Sequence, residues 1–398
     1  MPGNAILREL PDDLAALVYP VYRLVLAFSQ RHSGSPWFSG ERLRAWEESV
    51  LRGDVEPEVL APMAVLIGEL VEPERADVAL VSRCCWCMAE WALDRHEETA
   101  LAFAELAALS WPTNGRHALV LARLYRNSGY PRKGELWFRR ASRLASAAAD
   151  WEVTVLSTSG LGMLFWDQAN FPRAKALLER AQRVAQRHSL RSLEAEVLHN
   201  RLAVAITAGE LEAAEDFARA AFERYQPAHH RIPALAYDIA YLWLSKGYAG
   251  QAFNTFQALL PHFPDGEPRI QVLCAMARAA GMLAREDAFV WSAQAAREAR
   301  AHVEKSPTLA AALIDVALGA ISLDRRREAT EALERACQVA RRMNQSDMLI
   351  KAEDALARLR EGRPEVSFPG KPGSEREAFT RRITGVLERL ASESLSAD

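Results

Sequence analysis

Across residues 116–141 the apolar positions fall on two helical faces separated by a turn. Leu121, Ala122 and Tyr125 recur at helical spacing, Gly129 ends that run, and Pro131 opens the next. Gly134, Phe138 and Ala141 then fall four and three residues apart, on one face of a second helix. Small residues at 122, 134 and 141 let the two backbones approach closely, and Tyr125 and Phe138 fill the space between them. The pattern predicts two short helices, A and B, packed around a tight turn.

The same alternation returns along the chain. Met88 and Trp91 precede Ala100, Ala104 and Ala107; Leu161, Gly162 and Phe165 precede Ala174, Leu178 and Ala181. Leu202 and Ala205 lead through Gly209 to Ala214, Ala218 and Ala221; Ala240 and Trp243 lead through Gly247 to Ala252 and Phe256. Two further pairs read Met276 with Ala288, Ser292 and Ala295, and Ala317 with Ala329, Leu333 and Ala336. The small residues opening each helix B stand at 100, 134, 174, 214, 252, 288 and 329, between 34 and 41 residues apart. A final helix at 347–360 is half a unit. No section shows the period-two alternation of strands.

Seven copies of this small–large order resemble the tetratricopeptide repeat, a helix–turn–helix unit of about 34 residues. The longer intervals are similar to the elongated repeats of bacterial transcription regulators and peptide-sensing receptors of that class. The resemblance covers residues 74–360 and implies an all-α, right-handed helical-repeat solenoid, the TPR-like superhelix. The domain reading is 1–72 as N-terminal capping helices, 73–360 as a solenoid of about seven pairs, 361–374 as a linker, and 375–398 as an amphipathic helix and tail. In the first section, 12–30 is apolar around Pro20 and reads as a kinked helix or two short ones. A loop at 31–40 and helices at 41–51 and 57–70 follow. In the last section Phe379, Ile383, Val386, Leu387 and Leu390 form one stripe, which must be buried against something. The last repeat is its default destination; the groove of its own chain and another molecule are the others.

Such solenoids use an extended concave surface to bind partners. The resemblance implies a non-enzymatic scaffold that takes a protein or peptide in that groove. It also implies where: helix A positions beside the packing positions. Carried over, these are Arg123, Arg126 and Asn127, then Ser159, Met163 and Trp166, then His199 and Asn200, then Tyr237, Asp238 and Tyr241. Arginine and asparagine suit the carboxylates and amides of an extended peptide, and the aromatics add apolar contact with a polar handle. Two other readings stand beside this one. The chain is a sensor of a signalling peptide acting on a separate output partner, or the regulatory subunit of an enzyme such as a protease.

Composition narrows the partners. The formal charge is -3 over 398 residues, which does not point to nucleic acid or a membrane surface. No signal peptide or membrane span is evident, and five scattered cysteines suit a reducing compartment, so the expected location is cytoplasmic. No cofactor is expected. Cys84 and Cys87 form a lone C-x-x-C without a second pair, the pattern of buried small hydrophobes and not of a zinc site. His229 and His230 lack an acidic or thiol partner. The glycine-rich 370–374 lacks the phosphate-loop spacing. Arg325, Arg326 and Arg327, and Arg341 with Arg342, sit among acidic neighbours at helix ends.

Overall fold

A computed structural model describes residues 3–31, 38, 40–52, 56–93, 95–299, 306, 308–343, 345–362 and 373–395. Every regular element among them is a helix. The fold is an all-α helical-repeat solenoid, and the chain divides into two compact units, Met1–Val197 and Leu198–Asp398.

The first unit opens with α1 (Gly3–Glu9), α2 (Asp12–Ser29), α3 (Gly40–Arg52) and α4 (Pro57–Glu69). Pro20 lies inside α2, which is one continuous element. The helical pairs α5 (Val78–Ala92) with α6 (Glu97–Ser110), α7 (Gly115–Asn127) with α8 (Pro131–Ala147), and α9 (Trp151–Asp167) with α10 (Phe171–Arg187) follow. Helices α1 and α2 pack on α6, and α4 packs on α5. Glu9 fixes the first of these contacts. Its carboxylate accepts from the Glu98 and Thr99 amides at 3.0 and 2.8 Å and from the Thr99 hydroxyl at 2.8 Å. Those amides open α6 and have no partner inside the helix.

One turn geometry sets the period. Gly129, Ala149, Ala169, Ser189 and Gly209 all have positive φ, from 54° to 75°. The next residue in each case returns its N–H to the carbonyl five positions back. Tyr130 bonds Tyr125, Asp150 bonds Ala145, Asn170 bonds Phe165, Leu190 bonds Ala185 and Glu210 bonds Ala205, all at 2.8–2.9 Å. This bond closes a helix around a left-handed residue. Asp150 and Asn170 then cap the following helix, accepting from Val153 at 3.1 Å and Arg173 at 3.3 Å. Helices α8, α9, α10 and α11 (Arg191–Thr207) have 17 residues each, joined by three-residue turns. Two such helices with their turns reproduce the long repeat interval.

His117 on α7 is half-buried, with Nδ1 2.7 Å from the Ser82 hydroxyl, which itself donates to the Ala107 carbonyl at 2.6 Å. Burial holds its pKa below 6.5. The unfolded chain therefore takes up the proton more readily than the folded one. The stability His117 contributes is complete above pH 6.5 and is lost as pH falls through the lower folded value. His117→Gln should flatten the decline in melting temperature between about pH 7.5 and 5. An unchanged slope would place the acid sensitivity elsewhere.

The second unit holds the end of α11, then α12 (Leu211–Arg224), α13 (Ile232–Ser245), α14 (Ala249–Leu259), α15 (Gly266–Met282), α16 (Glu286–Ala299), α17 (Leu309–Ser322), α18 (Arg326–Arg342), α19 (Ser346–Arg360) and α20 (Ser374–Leu395). The register read for the sixth pair is off by one residue. Ala288 and Ala295 are only partly buried, whereas Phe289, Ser292, Ala293 and Ala296 face the core. In α18 the opener Ala329 is the fourth residue of its helix, and in α16 the fourth residue is Phe289. A search for a small opener passes over it. Helices α15 and α17 meet backbone to backbone: a Cβ on Gly281 would lie 2.2 Å from the Gly319 carbonyl oxygen.

Helix α20 packs on α14 and α13 of the fifth pair, and not on the last repeat as its stripe was expected to do. Phe379 meets Phe222 edge to face at 5.5 Å and Trp243 at 6.1 Å. Ile383 and Leu387 are fully buried. Arg376 forms two bonds to Glu215, at 3.0 and 3.3 Å, and covers the Tyr248 ring at 4.0 Å. Glu375 pairs with Arg219, and His262 Nε2 donates to the Leu387 carbonyl at 2.9 Å. An amphipathic stripe dictates burial but not which surface provides it. Most of the 361–374 stretch lies outside the described residues.

Candidate functional site

The helix A positions singled out by the repeat divide between the two units. In the first, Arg123 and Asn127 on α7 are exposed. Arg126 is bound by Asp167 of α9 through Nε at 2.6 Å and Nη2 at 3.0 Å. Ser159 and Met163 on α9 are buried. Trp166 is half-buried, and its Nε1 finds no acceptor among the described residues.

In the second unit the positions converge with residues the sequence reading passed over. His199 at the middle of α11 is 5% exposed; its Nε2 lies 2.9 Å from Asp238 Oδ2 on α13, and its ring meets Tyr225 edge to face. His199 Nδ1 has no partner among the described residues. Asn200 is half-buried beside it. Tyr237 and Tyr241 stack, with ring centroids 6.1 Å apart. The Tyr241 hydroxyl reaches Asp315 of α17 at 3.4 Å, and Asp315 also accepts from Arg278 of α15 at 3.0 Å.

The charges in this cluster are held away from water. Burial pushes the Asp315 carboxyl up, against the pull of Arg278. Burial also opposes the Arg278 cation, but Asp315 and Tyr241 outweigh it and hold the guanidinium above its ordinary value. Asp315 and burial raise the Tyr241 phenol, and burial raises Tyr237 well above the usual tyrosine range. The cluster therefore presents two neutral phenols beside a closed ion pair, with Asp238 and His199 as a second polar pair.

Arg278 and Asp315 carried a signal in the sequence. Tyr241 stands eleven residues before Ala252, and Arg278 stands eleven before Phe289. Asn200, Asp238 and Asp315 each stand fourteen before the residue opening their helix B, at 214, 252 and 329. These two register positions supply five members of the polar set, and His199 and Tyr237 add a third, fifteen before Ala214 and Ala252. The one-residue slip in the sixth pair put Ala277 where Arg278 belongs.

The other candidate groups have ordinary explanations. Cys84 and Cys85 are buried in α5 while Cys87 is exposed, and the five cysteines are free. Burial lifts the Cys84 thiol to about 11 and raises the Cys85 thiol well above its ordinary value, so neither is a ready thiolate. The His229 and His230 rings stack on each other at 4.5 Å, and no group of metal-ligating side chains occurs among the described residues. Arg325, Arg326, Arg327 and Arg341 pair with Glu328, Asp324, Glu331 and Glu353. Residues 370–372 lie outside the described part. Among the described residues no helix is long and apolar enough to cross a membrane.

No protein-family model matches the chain, and none of the curated sequences matches it. Solved structures do. Aspartyl phosphate phosphatase F from Bacillus subtilis superposes with a TM-score of 0.56 at 12% identity, over 83% of this chain and 94% of that one. The Rap conjugation gene regulator of the plasmid pLS20, solved with the Phr* peptide, gives 0.53 at 12% identity, over 81% and 96%. The apo form of RapI gives 0.54 at 10% identity, over 88% and 100%. The chain shares the helical-repeat fold of these proteins.

Proposed function

We infer that the chain is a non-enzymatic regulatory scaffold that binds a short extended peptide on the helix A face of its second unit and passes the signal to a separate protein partner. The observation that carries this reading is a polar side chain at one or both of two register positions on each of α11, α13, α15 and α17. An extended peptide offers backbone donors and acceptors at a regular rise, and side chains repeated along a helical stack meet them in sequence. The Tyr237–Tyr241 stack supplies an apolar platform for one peptide side chain. The buried His199 Nδ1, without a partner among the described residues, supports a ligand group at that point.

The plasmid regulator of the same fold was solved with a peptide, and we extend that mode of binding to this chain. One neighbour is named as a phosphatase, but at 12% identity the likeness carries the fold and not the reaction. In the cluster, Asp315 is engaged by Arg278 and Tyr241, an arrangement suited to holding shape more than to activating a nucleophile. Five free cysteines fit a reducing, cytoplasmic setting.

The test is selection from a random heptapeptide library on the purified chain, followed by anisotropy titration of the best sequence. Asn200→Ala and Tyr241→Phe should each weaken binding about tenfold, equivalent to roughly 1.4 kcal/mol. Melting temperature should fall by no more than a few degrees. Peptides that bind both variants as tightly as the parent chain would remove the helix A face as the site.

A further inference from the structure

Two neighbouring B helices in the first unit carry a charge the rest of the chain does not. Helix α8 has Arg132, Lys133, Arg139, Arg140 and Arg143 against Glu135 alone. Helix α10 has Arg173, Lys175, Arg180, Arg183 and Arg187 against Glu179 alone. That is five cations to one anion on each helix, in a protein of formal charge -3. Between them runs a groove of about 430 Å³, with Leu136, Leu161 and Leu177 among its walls and Arg139, Arg143 and Arg180 beside them. Leu136 is 61% exposed there.

The repeat shows what a groove at this place holds. In the second unit the surface formed by α12, α13 and α14 is covered by α20. Arg219 of that surface, five residues after Ala214, pairs with Glu375 of the docked helix. Arg139 is five residues after Gly134 and is its register mate. Ile239, thirteen before Ala252, lines the covered groove, and Leu161, thirteen before Ala174, lines the open one.

We propose that the α8–α10 groove docks an amphipathic helix of a partner protein, its apolar stripe on Leu136, Leu161 and Leu177 and acidic side chains against Arg139, Arg143 and Arg180. The apolar walls favour a helix over nucleic acid, whose phosphates would use the arginines and leave the leucines unserved. Apart from Leu161 of α9, the residues named here lie on B helices, and none of them is among the second-unit helix A residues assigned to the peptide, so the two sites stand or fall separately.

The probe is a labelled synthetic helix of about 20 residues with a leucine stripe at i, i+3, i+4 and i+7 and glutamates on its flanks. An isomer of the same charge with the stripe scrambled, and a short DNA duplex, serve as controls. By anisotropy on the full chain the probe should bind. Leu136→Asp, at an exposed position that leaves the circular dichroism unchanged, should weaken it at least tenfold, as should Arg143→Glu with Arg180→Glu. Arg219→Glu, on the groove already covered, should leave it unaltered. No binding, equal binding of the scrambled isomer, or loss on Arg219→Glu would overturn the assignment. So would tighter binding of the duplex that is indifferent to Leu136→Asp, which would make the face a nucleic-acid surface.

Discussion

Gly319→Ala should destabilise the second unit by about 3 kcal/mol. The sign makes this informative. Gly319 lies inside α17, and in an exposed helix the change to alanine would add roughly 1 kcal/mol of stability. Here a Cβ would meet the Ala277 carbonyl oxygen at 2.6 Å and Arg278 Cα at 3.0 Å. Both are backbone atoms of α15, so no side-chain rotation relieves the contact and the helices must separate. A separation of α15 from α17 also parts Arg278 from Asp315. Calorimetry should show the melting transition lowered by about 10 °C, and peptide affinity should fall with it. A rise in melting temperature would mean that the two helices do not touch along this line.

The second large effect belongs to the ion pair. Asp315→Ala leaves the Arg278 guanidinium among buried groups without its carboxylate, a change that costs about 3–5 kcal/mol. Replacing both partners, Arg278→Met with Asp315→Leu, should recover most of that loss, because apolar side chains of similar volume need no solvation. Chemical denaturation of the two single variants and the double variant closes the cycle. The double variant, folded but without the polar pair, should still bind the selected peptide poorly. A double variant no more stable than Asp315→Ala would show that packing, and not the charge left behind, sets the loss.

The paired helices were legible because all but the sixth pair repeat one small residue at the point of closest approach. Gly129, Gly209 and Gly247 marked turns for the same reason, glycine being the residue that takes positive φ freely. Ala149, Ala169 and Ser189 take the same conformation and gave no such mark. Their place is set by the helices on either side and by Asp150 and Asn170, which cap the next helix. Phe289 shows the opposite failure, a large side chain at the small position. That slip hid Arg278 and with it the ion pair to Asp315, since a buried pair from two helices has no local signature. The destination of α20 was equally hidden, because Phe379, Ile383 and Leu387 specify an apolar face and leave its partner to the tertiary structure.

The docking of α20 fixes an order of events during synthesis. Arg376 meets Glu215 across 161 positions, and Leu387 meets His262 across 125. The pairs of the first unit close on their sequence neighbours and can fold as they leave the ribosome. The aromatic surface of Phe222 and Trp243 cannot be covered until Phe379 has been made. At about 5–20 residues per second, that leaves it bare for on the order of ten seconds on every nascent chain. This interval, rather than the finished protein, is where chaperone binding and misassembly between neighbouring nascent chains will concentrate.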